Sequence, residues 1–198
     1  SMLVGALGAI NQTNIKRLIA YSSIGHIVFI VMALAVGGVQ GVSAAFFYVV
    51  LYILMSACAF VVILSVYDGS DSKEHIEKLS GLAKTHPVLA FSFASALLSM
   101  AGIPPLAGFL AKFYVIRAAL DVGMTSLVVA AVLASVVSAY YYIRLIKLMY
   151  FDAAKTNAVP LASRIWSVMA LASALLLIVL LIYPTALSTF VDWAVAGL

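Results

Sequence analysis

Residues 42–67 contain no charged side chain, and they are one of several apolar runs in this sequence long enough to cross a bilayer. A span needs about 20 apolar residues, because the hydrocarbon core is roughly 30 Å thick and a helix rises about 1.5 Å per residue. That constraint selects a polytopic helical membrane protein. Across the chain, 66% of residues are hydrophobic and 9% are charged, with mean hydropathy +1.20, a balance that leaves too little charge for a water-facing surface. The roughly ten-residue alternating segments of a membrane β-barrel are not found.

Six hydrophobic segments are read as membrane-crossing or membrane-embedded: about 2–13 (half a span), 18–37, 42–67, 87–120, 125–151 and 164–183. The fold class expected is therefore all-α, with about six transmembrane helices in a single domain over residues 1–198. The longest polar connection is 67–87, in which Ser72 followed by Glu74 to Leu82 fits a short interfacial helix. Pro160, after Lys155 and Asn157, marks the next polar connection. No basic segment or cleavage motif precedes the first apolar run, so no leader peptide is expected.

Charge orders these segments across the membrane. Nine of the eleven Lys and Arg residues fall in alternate connections: Lys16 and Arg17; Lys73, Lys78 and Lys84; Arg144, Lys147, Lys155 and Arg164. The intervening connections, "GGVQGVS" and "DVGMTS", have none. The positive-inside rule puts the nine on the cytoplasmic or matrix side and both termini on the other. Arg117, four residues before Asp121, reaches the outer interface. Lys112 has no such address.

Lys112 follows the stretch "GIPPLAGFLAKFYV", where Gly102, Pro104, Pro105 and Gly108 interrupt an apolar tract. Proline removes a backbone donor and clashes with the preceding turn, so the helix breaks here. The carbonyls it frees must lie against protein or water, since lipid cannot satisfy them. A charged lysine at the bilayer centre costs about 3 kcal/mol on insertion scales, so an intramembrane lysine marks a functional site unless it snorkels to an interface. Broken helices are a common way to build an ion site at this depth.

Other polar residues stand at similar depth. His26 lies about 13 Å into its segment, with Ser22 and Ser23 on the same face. Tyr48, Tyr52 and Ser56 are spaced four apart, and Ser92, Ser95 and Ser99 line the helix leading to the break. Ser135, Ser138, Tyr141 and Tyr142 follow in the next span. Each has two readings: the histidine as a proton relay or an interhelical hydrogen bond, the stripes as a pathway or helix–helix glue. Cys58 is read as packing, since one thiol holds neither an iron–sulfur cluster nor an internal disulfide. No phosphate-cradling glycine loop or metal-ligand spacing occurs, and no cofactor or nucleic-acid partner is expected. His75 and His86 are loop residues with no case for catalysis.

The stretches "INQTNIKRLIAYSSIGHIVFIVMAL", "LSGLAKTHPVLAFSFASALLSMAGIPPLAGFLAKFYV" and "SAYYYIRLIKLMYF" resemble the antiporter-like subunits of respiratory complex I. The subunit N type, NADH dehydrogenase subunit 2 in mitochondria, is the most similar. The resemblance implies a larger fold of two inverted repeats, each with a broken helix and a proton half-channel. This chain would correspond to the second repeat plus the C-terminal helix. It further implies that Lys112 occupies the key ionisable position and that His26 is the histidine of the "SSIGH" motif. Tyr52, Ser56, Ser22 and Ser99 would support the hydrogen-bonded pathway. Sister subunits often carry histidine at the position of Tyr52, and tyrosine ionises too reluctantly near neutral pH to replace it as a charge carrier.

The expected function is that of a non-redox membrane-arm subunit of proton-translocating NADH:ubiquinone oxidoreductase. Its partners would be other membrane-arm subunits and lipids. The missing first repeat implies a fragment, or a separate chain carrying the N-terminal half. A split subunit favours a mitochondrial inner membrane over a bacterial plasma membrane. The alternatives are a subunit of a multi-subunit cation/proton antiporter and a purely structural scaffold.

Overall fold

The computed structural model describes residues 1–67, 74–154 and 164–195, and among them it is helical throughout. The elements in chain order are α1 (Met2–Ile10), α2 (Ile15–Val36), α3 (Gly38–Val66), a 3-10 turn (Ile76–Leu79), α4 (Leu82–Thr85), α5 (Pro87–Ala101), α6 (Ala107–Asp121), α7 (Thr125–Tyr150), α8 (Arg164–Ile182) and α9 (Pro184–Val195). Helices α2, α3, α7 and α8 are each long and apolar enough to cross a bilayer, and α5 is a shorter apolar helix. Helices α5 and α6 together form the expected interrupted span.

Three boundaries differ from the sequence expectation. Helix α1 stops at Ile10, where the Gln12 amide turns back to donate to the Gly8 carbonyl at 3.0 Å. The expected interfacial helix over Glu74–Leu82 is instead the 3-10 turn and α4, separated by Gly81 at φ +72°. Gly81 donates its N–H to Leu148 at 3.1 Å, and a Cβ there would stand 2.8 Å from the Ala154 nitrogen. Ser72, Lys73, Lys155, Asn157 and Pro160 lie outside the described residues. Helix α9 was not foreseen: Pro184 opens it, and Leu187, Val191 and Val195 bury a face repeating every four residues.

Close helix approach is set by small residues, as is common where lipid supplies no hydrophobic drive between helices. A Cβ on Gly8 would fall 2.6 Å from the Tyr21 ring, and one on Gly5 would fall 3.0 Å from the Tyr21 carbonyl, so α1 lies directly on α2. Gly41 fits against the Ala33 carbonyl in the same way across the α2–α3 turn.

At one end the connections are tied to each other. Asn14 and His75 form an antiparallel bridge, with Ile15 N–H to the Glu74 carbonyl at 2.9 Å and Ile76 N–H to the Thr13 carbonyl at 2.8 Å. Lys16 pairs with Glu74 at 2.5 Å, and Arg144 donates to the Ile10 carbonyl at 3.0 Å. Tyr67, just past α3, donates to the His75 carbonyl at 2.8 Å; burial and the nearby Glu74 push its phenol above the usual tyrosine range. These contacts gather Lys16, Arg144 and their cationic neighbours at a common end, in agreement with the alternating charge of the sequence.

The break is built from α5 outward. Helix α5 ends on Gly102 at φ +78°, whose N–H reaches the Leu98 and Ser99 carbonyls at 3.1 and 2.9 Å. Pro104 and Pro105, joined by a cis peptide bond, are exposed on the outside of the turn. The chain then doubles back, and Gly108 N–H donates to Ser99 Oγ at 2.9 Å. A Cβ on Gly108 would lie 1.9 Å from the Ser99 carbonyl oxygen, so only glycine fits. We expect Gly108→Ala to destabilise the subunit by about 3 kcal/mol through overpacking. Gly25→Ala, whose Cβ meets nothing within 4 Å, should leave thermal unfolding near wild type.

Candidate functional site

Lys112 is on the second turn of α6, 8% exposed. Its Nζ donates to the Ala101 carbonyl at 2.9 Å and to Ser135 Oγ, on α7, at 3.3 Å. Ala101 is the last residue of α5, so the ammonium caps the negative end of a half-helix. The Phe29 ring of α2 lies 5.4 Å from Nζ, within cation–π range. The side-chain stem passes over Gly102, where a Cβ would fall 2.8 Å from Lys112 Cδ. Gly102 therefore serves the site twice, by turning the chain and by clearing the path for the lysine.

A second polar group centres on His26, 4% exposed. Its Nδ1 is 2.8 Å from the Tyr48 hydroxyl of α3, and its Nε2 is 3.1 Å from the Tyr142 hydroxyl of α7. Tyr142 also shares a hydrogen bond with Ser22. A neutral imidazole has one donor and one acceptor nitrogen, so one tyrosine must donate to it and the other accept. Exchanging the tautomer reverses both bonds. The run Ser22–Tyr142–His26–Tyr48 is thus a continuous chain of hydrogen bonds across α2, α3 and α7.

The two groups face one cavity of about 20 Å³, whose polar lining includes Lys112, Ser135, His26, Ser22, Tyr141 and Tyr142. That is room for one water with several polar partners. The Phe29 ring, stacked on Tyr48 at 5.7 Å and 7°, closes the apolar side.

The sequence-predicted residues divide accordingly. Lys112, His26 and Ser22 converge on the cavity. Ser99, Gly102 and Gly108 belong to the break, where Ser99 ties α6 to α5. Tyr52 is half-buried and stacks on His26 at 4.8 Å, whereas Tyr48, one turn earlier, is the α3 residue that hydrogen-bonds the ring. Ser56 is half-buried and takes no part in these hydrogen bonds. Three partners, Tyr48, Tyr142 and Ser135, are read from sequence only as members of polar stripes, pathway or helix–helix glue. The signal for two of them is the 135, 138, 142 spacing, which is one face of a helix.

Residues 1–138 match the family described as NADH:quinone oxidoreductase/Mrp antiporter, transmembrane. The chain belongs to this family. It is 48% identical over 187 residues to NADH-quinone oxidoreductase subunit N of Methylobacterium nodulans, a match covering 94% of this chain and 39% of that one. The subunit N of Rhodospirillum rubrum is 44% identical over 197 residues, covering 100% and 40%. Among solved structures, respiratory complex I from Thermus thermophilus with bound aureothin superposes with TM-score 0.85 at 33% identity, covering 96% of this chain and 43% of that chain. The chain thus spans about two-fifths of the length of the curated family members it matches. Those relatives are bacterial and carry the additional length on one polypeptide. They give no support to a mitochondrial setting or to a separate chain for the N-terminal half.

We expect Tyr142→Phe and Tyr48→Phe each to destabilise the subunit by about 1 kcal/mol, the cost of a lost buried hydrogen bond. Tyr52→Phe should fall within about 0.5 kcal/mol of wild type, because its hydroxyl is outside the network. Thermal unfolding of the three variants in one detergent checks this ordering.

Proposed function

We propose that this chain is part of an antiporter-like membrane-arm subunit of a bacterial, proton-translocating NADH:quinone oxidoreductase, and that it carries a proton half-channel centred on Lys112. The observation that carries the reading is a buried lysine nitrogen bound to the end carbonyl of a broken helix and sharing a water-sized cavity with the His26 network. Lys112 is the switching amine. Protonated, it is stabilised by the Ala101 carbonyl and the end of α5; deprotonated, it accepts a proton from the cavity. His26, with Tyr142 and Tyr48, passes protons on by tautomer exchange. The chain itself performs no redox step, and its driving force comes from electron transfer elsewhere in the complex.

The cationic connections lie on the cytoplasmic side and α9 on the periplasmic side, by the positive-inside rule, while Met2 lines the Lys112 cavity between the two ends. Membership of an antiporter complex is less well supported. The Mrp complex from Dietzia sp. has the same fold (TM-score 0.85), but its identity is 23%, against 48% for the subunit N relative.

The test replaces Lys112 in the full-length subunit within the assembled complex. Lys112→Met should assemble yet lower the rate of proton pumping by about tenfold or more, as expected when a proton-transfer group is removed. Lys112→Arg should pump poorly as well, because guanidinium does not deprotonate. Pumping at the wild-type level in Lys112→Met would refute the assignment.

A further inference from the structure

At the end of the bundle opposite the tied connections, α3, α6 and α9 enclose a groove of about 520 Å³. Its apolar floor includes Phe47, Tyr114 and Val191. Two opposite charges face it, Arg117 from α6 and Asp192 from α9. Among the described residues neither is engaged in an ion pair or a hydrogen bond, with each other or with a third group. The other nearby carboxylate is already held: Asp121, one turn beyond Arg117, accepts from Gln40 Nε2 at 2.9 Å and does not line the groove.

Helix α9 places this groove at headgroup depth. One face buries Leu187, Val191 and Val195, while Phe190 and Trp193 project outward, Trp193 with 77% of its surface exposed. A short helix with aromatic side chains on its free face lies in the membrane interface. Here it forms the wall of a site that is apolar below and charged above.

We propose that this groove binds one zwitterionic phospholipid with a primary ammonium headgroup, its phosphate on Arg117 and its ammonium on Asp192. Guanidinium is suited to phosphate through paired N–H donors. The carboxylate accepts from a primary ammonium, which has three donor protons, while a quaternary ammonium has none to give. A purely anionic headgroup would be repelled by Asp192. The upper acyl chains lie over Val39 and Tyr114, which are exposed apolar surface, and this favours a lipid over a free phosphate ester of the same chemistry. The site depends on the membrane setting alone and is independent of the Lys112 pathway.

The experiment is native mass spectrometry of the full-length subunit in its assembled, delipidated complex, titrated separately with phosphatidylethanolamine, phosphatidylglycerol and phosphatidylcholine. Wild type should retain one more phosphatidylethanolamine than Arg117→Gln or Asp192→Asn, with each variant weakening that site by about tenfold, as for loss of one charge-assisted contact. Arg117→Lys should keep the lipid. Asp192→Asn should shift the site toward phosphatidylglycerol, an effect that mere distortion of the fold would not produce. Equal phosphatidylethanolamine retention by wild type and both neutralised variants would overturn the proposal, as would a wild-type preference for phosphatidylglycerol. If Arg117→Gln does not assemble, the Asp192→Asn comparison decides on its own.

Discussion

The hydrogen bond from Lys112 Nζ to the Ala101 carbonyl joins two groups that membrane burial would otherwise penalise. A helix ending inside the bilayer leaves carbonyls without partners, and a lysine at that depth leaves a charge without water. Each supplies what the other lacks. The magnitudes matter: a cation at a partly buried helix C-terminus gains up to about 2 kcal/mol, against an insertion cost of about 3 kcal/mol. The helix end offsets much of the insertion penalty, which lets a lysine be held at this depth. The surrounding features keep that balance in place. Gly102 lets the stem through, and the bond from Gly108 to Ser99 fixes the register of α6 so that Lys112 arrives at the carbonyl.

Around this centre the bundle keeps two polar groups distinct. One is the lysine with Ala101 and Ser135; the other is His26 between Tyr48 and Tyr142. Three helices supply the second group, so any change in their spacing acts on both bonds of the imidazole at once. The shared cavity of about 20 Å³ has room for one water, which would bridge the two groups.

Much of this was legible from residue types. The prolines and glycines announced the break, and charge bookkeeping isolated Lys112 because every other cation had an interface to occupy. Depth along the segment found His26. The sequence could not say which tyrosine meets the histidine: Tyr48 and Tyr52 share a stripe, but the stripe drifts around the helix by about 40° every four residues. Helix crossing, which no local pattern encodes, then favours Tyr48. Ser99 matched a pathway residue by spacing, yet the doubled-back chain turns it into a tie across the break. Helix α9 escaped because its short amphipathic face follows directly on a full apolar span. The turn at Gly81 hinges on a backbone bond to Leu148, a residue far away in the chain.

The lacing at the cationic end has a mechanical consequence. There the Asn14–His75 bridge, the Lys16–Glu74 pair and the Arg144–Ile10 contact bind successive connections into one plate. At the other end the helices turn through glycine pairs and loops such as Gly37–Gly38 and Gly123, with Gln40–Asp121 as a cross-link. A bundle anchored on one side deforms as a fan: small rotations at the plate open or close the far rim most, change the width at mid-depth by less, and leave the plate itself unchanged. The Lys112 cavity, set between the two ends, would widen or narrow in step with the rim beside Arg117, by a smaller amount.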